Sequence, residues 1–157
     1  MSSTITEIKD RLGTILENIT STDTGFVAPR MVKTGSARQL ITPALLIFTD
    51  SANNELVSDD VMQTRRVYRV HLLYKSMTQG TELQIERACD PYFNAVWRAI
   101  STNPTLSYPD NTTPLPGVFD AFVRSDSGFA EIIFDDKPFG GITFNIEVAT
   151  LYELERK

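Results

Sequence analysis

The stretch from residue 64 to residue 101 constrains most strongly what this chain can fold into. Its first half alternates in polarity, and one face of the extended segment carries four large side chains: Tyr68, Val70, Leu72 and Tyr74. That period of two predicts a half-buried strand. The second half has apolar residues at helical spacing: Ile85, Cys89, Tyr92, Phe93, Val96, Trp97 and Ile100. A strand followed closely by an amphipathic helix predicts a helix that packs on a sheet.

A first amphipathic helix is predicted near the N-terminus. Thr4 and Glu7 have the spacing of a capping box, and an apolar stripe follows them to about Thr20. In the later helix, Asp90 and Pro91 suit an N-cap and a first helical position, yet the apolar stripe continues across the proline. We therefore expect either one kinked helix from about residue 81 to residue 101, or two shorter helices that meet at Asp90.

Five segments are predicted to be strands: residues 43–48, 64–75, 118–123, 129–134 and 142–152. Together with the two helices they give the order α-β-β-α-β-β-β, in which short turns join consecutive strands. The chain is long enough to bury a core of its own. We predict an α+β fold for residues 1–157 as a single domain, with a mainly antiparallel sheet of about five strands, two amphipathic helices packed on one face, and long loops.

The connections between these elements are rich in polar and turn-forming residues. Residues 26–42 lack either periodicity and are predicted to form an extended arm or a long loop. Residues 50–60 are predicted to form an acidic loop within a long hairpin. Residues 125–128, Ser-Asp-Ser-Gly, indicate a turn, and Gly140-Gly141 indicates a hinge or a tight turn.

Little in the sequence indicates catalysis or a bound cofactor. The chain contains one histidine and one cysteine, too few for a zinc site. Cys89 lies on the apolar stripe, so we expect a core residue rather than a nucleophile paired with His71. Neighbouring acids such as Asp59 and Asp60 point apart on a strand and are expected in a solvated loop. We predict no enzyme, no cofactor and no metal site.

The charge distribution excludes some classes of partner. The net charge is −5, and residues 105–155 hold nine acidic side chains against only Arg124 and Lys137. Such a surface repels phosphates, so specific nucleic-acid binding is not expected. No apolar run approaches the roughly 20 residues that span a bilayer, and the N-terminus has no leader-like pattern. We expect a soluble protein made in the cytoplasm, with no membrane partner.

Basic side chains cluster on the predicted central strand, in contrast to the acidic last third of the chain. The cluster comprises Arg65, Arg66, Arg69 and His71. A basic surface on one side and an acidic surface on another would suit head-to-tail contacts between subunits of a ring. The alternative, that these are ordinary solvent-facing residues of a strand, stays open from the sequence.

The order of these elements resembles the tail terminator or tail-completion proteins of long-tailed bacteriophages. The resemblance covers nearly the whole chain and rests on five pieces: the N-terminal helix, the apolar run at residues 43–48, the arginine-rich strand at 65–72, the helix at 82–100, and the closing strand at 142–152. The Asp90-Pro91 interruption and the extra hairpin near residues 125–128 depart from that plan.

The resemblance implies a structural virion protein without catalysis. Such a protein forms a homo-oligomer, a hexameric ring that caps the tail tube, stops its polymerisation and provides the joint to the neck and head. Its partners would be copies of itself, the tail tube protein and a neck or head-completion protein, while DNA would pass through as cargo. Two alternatives remain: a neck ring of the head-completion or stopper type, and, from another class, a small cytosolic binding module.

In a ring of this kind, an acidic channel would let DNA slide without adhering. Six acidic side chains in connections free of compensating base are candidates for that lining: Asp50, Glu55, Asp59, Asp60, Asp135 and Asp136. The four basic residues of the central strand are, in turn, the candidates for holding a neighbouring subunit.

Overall fold

The computed structural model describes residues 3–108 and 113–154. It contains two helices and five strands, in the order α1 (Ile5–Glu17), β1 (Met31–Thr34), β2 (Ala44–Ser58), β3 (Val61–Ser76), α2 (Glu82–Ser101), β4 (Val118–Phe134) and β5 (Lys137–Glu153). The predicted α+β class with a mainly antiparallel sheet is confirmed. No helix in the described part of the chain is long and apolar enough to cross a membrane.

The five strands form one mixed sheet with β3 at its centre. The spatial order is β1-β2-β3-β5-β4, and only the β1–β2 pair is parallel. β3 pairs with β2 on one side and with β5 on the other over nearly its whole length. β3, the strand with the clearest alternation in the sequence, is therefore hydrogen-bonded to a neighbouring strand on each side.

Both helices pack on the same face of the sheet and close the main core over it. Each begins with a capping box. The box of Thr4 with Glu7 in α1 was predicted, and α2 has a second one, of Thr81 with Gln84. Their apolar stripes meet the even-numbered side chains of β3, where Tyr68, Val70 and Leu72 are fully buried. Burying each such side chain stabilises the fold by roughly 1.5–3 kcal/mol.

β4 is one continuous strand, so the prediction of two strands separated by a turn at residues 125–128 is wrong. Gly128 has a φ of 69°, and the register with β5 shifts between Asp126 and Phe129. The main-chain N–H of Gly128 donates to the Asp126 side chain at 2.8 Å. Polar, turn-forming residues here make a bulge in an edge strand instead of ending it.

The other connections are also shorter than predicted. β2 runs on to Ser58, so residues 50–58 are strand, and only Asp59 and Asp60 form the turn to β3. Asp135 and Asp136 alone connect β4 to β5; their φ angles of 52° and 60° are those of a two-residue hairpin turn. β1 lies within the predicted arm at residues 26–42. Hydrogen bonding to a neighbouring strand holds these polar segments extended, which their side-chain pattern does not indicate.

α2 is a single helix that contains Pro91, which settles the two alternatives in favour of one element. Its stripe is narrower than predicted. Trp97 is 56% exposed, although Val96 beside it is buried. Placing Trp97 in the core was therefore wrong, because the contact with the sheet is centred on Cys89, Tyr92 and Val96.

Gly140 and Gly141 lie inside β5 and form neither a hinge nor a turn. They sit where β5 passes closest to its neighbours. A Cβ on Gly141 would lie 1.7 Å from the carbonyl oxygen of Leu72, and one on Gly140 would lie 2.6 Å from the Cγ2 atom of Ile85. The absence of a side chain at both positions lets β5 approach β3 and α2.

We expect Gly141→Ala to lower the free energy of unfolding by about 1–3 kcal/mol or more, because the added methyl group meets backbone that cannot move aside cheaply. Gly13→Ala is the matched control. Its Cβ would make an ordinary contact of 3.7 Å with Ile47, and alanine favours a helix interior by about 1 kcal/mol over glycine. Urea denaturation followed by circular dichroism measures both; equal midpoints for the two variants would contradict the close approach.

Candidate interaction surface

The face of the sheet opposite the helices is the candidate functional surface, and we call it the open face. It is formed by the odd-numbered side chains of β3 and their register partners in β2 and β5: Arg65, Val67, Arg69, His71, Leu73, Leu46, Phe48, Thr143, Asn145 and Glu147. Within the described residues, both helices belong to the core on the other side.

Glu147 pairs with two arginines in the middle of the open face. Its carboxylate lies 3.5 Å from the Nη1 atom of Arg65 and 3.9 Å from that of Arg124, and its side chain is only 14% exposed. The Arg65 guanidinium also lies over the Phe119 ring, 5.8 Å from the ring centroid, within the range of a cation–π contact. One predicted subunit-interface residue is thus held by partners within its own chain.

Asp50 and Arg69 belong to the same cluster, although the sequence placed them in different roles. The Arg69 Nε atom lies 3.2 Å from the Asp50 carboxylate. Arg66 leaves β3 on the opposite side, since its register partner Val148 is in the main core. It donates from Nη1 to the Asp50 main-chain oxygen at 2.8 Å. Of the four predicted basic residues, the structure therefore brings together three on the open face.

His71 is half buried on the open face between polar and apolar neighbours. Its Nδ1 atom lies 2.9 Å from the Thr143 hydroxyl, and its ring centroid lies 5.5 Å from that of Phe48. Burial, and secondarily the positive charge of Arg69, hold the pKa of His71 below its ordinary value of 6.5. His71 is therefore mainly neutral at pH 7 and adds little positive charge to the arginines.

A second, smaller apolar cluster covers the end of the open face beyond His71. Its buried members are Leu46, Leu73 and Phe139, and the partly buried residues packed against them are Ala37, Leu40, Phe48, Ile132 and Phe134. The half of the open face near the start of β3 is ion-paired, whereas the half near its end is apolar. A sheet face fully exposed to water would be polar along its length.

The six acidic candidates for a channel lining fall into three places. Asp50 is in the ion-paired cluster. Asp59 and Asp60 form the turn between β2 and β3, and Glu55 lies in β2 shortly before it. Asp135 and Asp136 form the turn between β4 and β5. These two turns lie at opposite ends of the sheet, about 50 Å apart along the 16 residues of β3.

Two chemical possibilities weighed from the sequence can now be placed. Cys89 is fully buried in the core beneath α2, and burial, then Asp90 and Glu86, raise the pKa of its thiol to about 12. His71 lies on the other face of the sheet, so the two cannot act as a nucleophile and its base. Among residues 3–108 and 113–154, no three acidic, histidine or cysteine side chains lie close enough to share a metal ion.

Two parts of this surface are not indicated by the sequence. Glu147 lies far along the chain from Arg65, and only the pairing of β3 with β5 makes them neighbours. Phe48 and Phe134 belong to strands that are separate in the sequence, and only the sheet order brings them to one end of the face.

No family model matches this sequence, and no curated protein matches it either. The geometry of the open face therefore carries the functional argument by itself.

We expect the free energy of unfolding to fall as the pH drops from about 7 towards 5, in part through His71. A histidine whose folded pKa is lowered binds fewer protons in the folded state, so stability is full above its unfolded pKa near 6.5 and is lost below it. Because the chain has one histidine, one imidazole resonance reports its pKa directly by NMR. His71→Gln should flatten the stability profile in this window; a pKa at or above 6.5 would contradict the burial argument.

We expect Glu147→Gln to lower the free energy of unfolding by about 1–2 kcal/mol, since it leaves two arginines without their partly buried partner. Asp50→Asn is the matched control: it breaks a single, more exposed pair and should cost at most about 0.5 kcal/mol. Urea denaturation at low and high salt measures both. An equal loss for the two variants would show that burial of Glu147 gives its ion pairs no advantage.

Proposed function

We propose that this protein is a structural ring subunit of a bacteriophage tail, a tail terminator whose oligomer caps the tail tube and provides the joint to the neck and head. The plan of its elements supports the proposal, since the α+β order with one central arginine-rich strand is the plan on which the family resemblance rests. The ring would be made of copies of this chain, most simply six.

The open face is the observation that carries the proposal. A sheet with helices on only one side has a second face that solvent or another protein must cover. Here that face bears partly buried aromatic side chains, Phe48 and Phe134, beside fixed ion pairs. Apolar area and pre-ordered charge in one surface are typical of contacts between subunits.

The arginines of the open face can serve a subunit contact even though they are paired within the chain. Arg69 forms one ion pair, while a guanidinium carries five N–H donors. Arg65 uses more of its donors within the chain, since Nη1 pairs with Glu147 and Nε and Nη2 lie 2.8 and 3.3 Å from the side-chain amide of Gln63. The remaining donors of Arg69 are available to a neighbouring chain, and the Asp50 carboxylate fixes their direction beforehand. Such pre-organisation lowers the entropy lost when subunits associate.

The positions of the two acidic turns limit which carboxylates can line the channel together. Because residues 59–60 and residues 135–136 lie at opposite ends of the sheet, both pairs line one channel only if the sheet runs along the channel axis. Either pair would present carboxylates to passing DNA without attracting it. In a map of the assembled ring, both turns on the outer rim would exclude the channel role for all four residues.

A neck ring of the stopper or head-completion type is the alternative within this class. It would use the same open face between subunits, so geometry does not separate it from a terminator; the partner does. A tail terminator binds the end of a tube, whereas a neck ring binds the portal side of the joint.

We expect the purified protein to form rings alone or on tube ends, because its open face combines apolar area with ordered charges, as contacts between subunits do. Light scattering of a hexamer would give about 106 kDa, six times the 17.6 kDa chain. In the decisive experiment, the tail tube protein of the same phage polymerises with or without this protein, and tube lengths are measured by electron microscopy. Tubes of limited length with a ring at one end are expected; unchanged lengths and bare ends contradict the proposal.

A further inference from the structure

One end of the molecule carries an acidic, apolar projection, which we call the tip and define as residues 55–60. Leu56 and Val57 are 55% and 59% exposed at the end of β2. Three carboxylates surround them, and no basic residue occurs between residues 50 and 64. Among the described residues, Leu56 and Val57 belong to neither apolar cluster, so their exposed side chains are available to a partner.

The tip is held rigidly in spite of its exposure. The Ser58 hydroxyl donates to the Asp60 carboxylate at 2.9 Å, and the Leu154 main-chain N–H donates to the Asp60 carbonyl oxygen at 2.7 Å. Further back, Thr64 donates to the Asn54 side chain at 2.8 Å. The tip is therefore ordered before it meets a partner, which favours tight and specific association.

The opposite end carries a cavity of complementary character, which we call the groove. It lies between residues 37–42, the turn after β3 and the β4–β5 turn, and its volume is about 650 Å³. Most of the residues that line it are polar, and Leu40, Ile41, Phe134 and Phe139 supply the apolar part. Ile41 is 54% exposed. A volume of this size accommodates a few side chains.

The charge of the groove is opposite to that of the tip. Arg38 and Lys137 line it against one carboxylate, that of Asp135. Within the described part of the chain, the three ion pairs all lie on the open face, and neither Arg38 nor Lys137 takes part in one. Two cations without an ion-pair partner among the described residues, beside a groove with some apolar lining, suit an acidic segment that also carries apolar side chains.

A chain cannot place its own tip in its own groove. The tip lies where β3 begins and the groove where β3 ends, and about 50 Å of paired strand separates them. Any contact between the two surfaces is therefore between different molecules. Because the surfaces differ, it is a head-to-tail contact, which generates rings when the rotation closes.

We propose that the tip of one subunit docks into the groove of a second copy of this chain. Leu56 and Val57 enter the groove beside its apolar residues, and Glu55 and Asp59 face Arg38 and Lys137. The groove shares Leu40, Phe134 and Phe139 with the apolar end of the open face, so the docked tip covers that end of the face. This inference rests on the proposed ring function and specifies how its subunits join. It also removes the tip carboxylates from the candidate channel lining, since they belong to the subunit contact.

The test reverses the charge of each surface separately. The tip variant is Glu55→Lys with Asp59→Lys, and the groove variant is Arg38→Glu with Lys137→Glu. Each should weaken self-association at least tenfold, measured by sedimentation velocity and mass photometry, because like charges then meet. Lys9→Glu with Arg87→Glu is the control: it changes the net charge as the groove variant does but lies on the two helices, and it should leave association unchanged.

A mixture of the two variants gives the sharper readout. A basic tip matches an acidic groove, and an acidic tip matches a basic groove, so an equimolar mixture should assemble again with the two variants alternating. Circular dichroism melts first establish that each variant is folded. Rescue in the mixture supports the docking; a mixture that stays dissociated, or a control as weak as the variants, overturns it.

The outcomes separate this inference from the ring proposal. Rings of the native protein that neither variant disturbs would leave the ring proposal standing and would overturn the docking, assigning the groove to another partner such as a tube or neck protein. A native protein that stays monomeric at all concentrations and on tube ends would overturn both.

Discussion

The hydrogen-bonded position of β3 between β2 and β5 is the constraint on which the rest of the structure depends. Because side chains of a strand alternate, the register that buries Tyr68 and Val70 also sets Arg69 and His71 on the open face. A slip of one residue would exchange the two sets and place arginines in the core. The close approach at Gly141 fixes this register further, since only a residue without a side chain fits against Leu72. Fold and candidate surface are thus specified together.

The sequence predicted those elements whose side chains report their own environment. β3 and α2 have strong periods because each has one face against the core, and both capping boxes are local patterns. The prediction failed where hydrogen-bonded pairing between strands, and not the side-chain pattern, determines the structure. β1 has four residues and exists only through its bond with β2, and the bulge at Gly128 uses the same residue types as a turn. Most of the fold was therefore predictable, whereas the strand lengths required the partner strands to be known.

The candidate surface was less predictable than the fold, since its charges are paired across long stretches of sequence. Arg65 and Glu147 are 82 positions apart, and a count of charge along the chain assigns them to separate basic and acidic regions. In the sheet they are neighbours, as are Asp50 and Arg69. The middle of the open face is therefore close to neutral, and His71 stays mainly uncharged beside it. Charged side chains at the two ends of the sheet, at the tip and at the groove, have no ion-pair partner among the described residues.

Unpaired charge at the two ends of the sheet suggests that subunits of a ring contact one another there. In this arrangement, subunits contact one another at opposite ends of a long sheet. The angle between successive subunits then determines whether the assembly closes into a ring or continues as a filament. Closure needs that angle to be the same at every joint. The ladder from β2 to β4 and the hydrogen bonds of Asp60 join the tip to the core, with register shifts in β2 between Thr49 and Ala52 and between Leu56 and Ser58. A continuous sheet with different surfaces at its two ends is therefore suited to a ring of defined size.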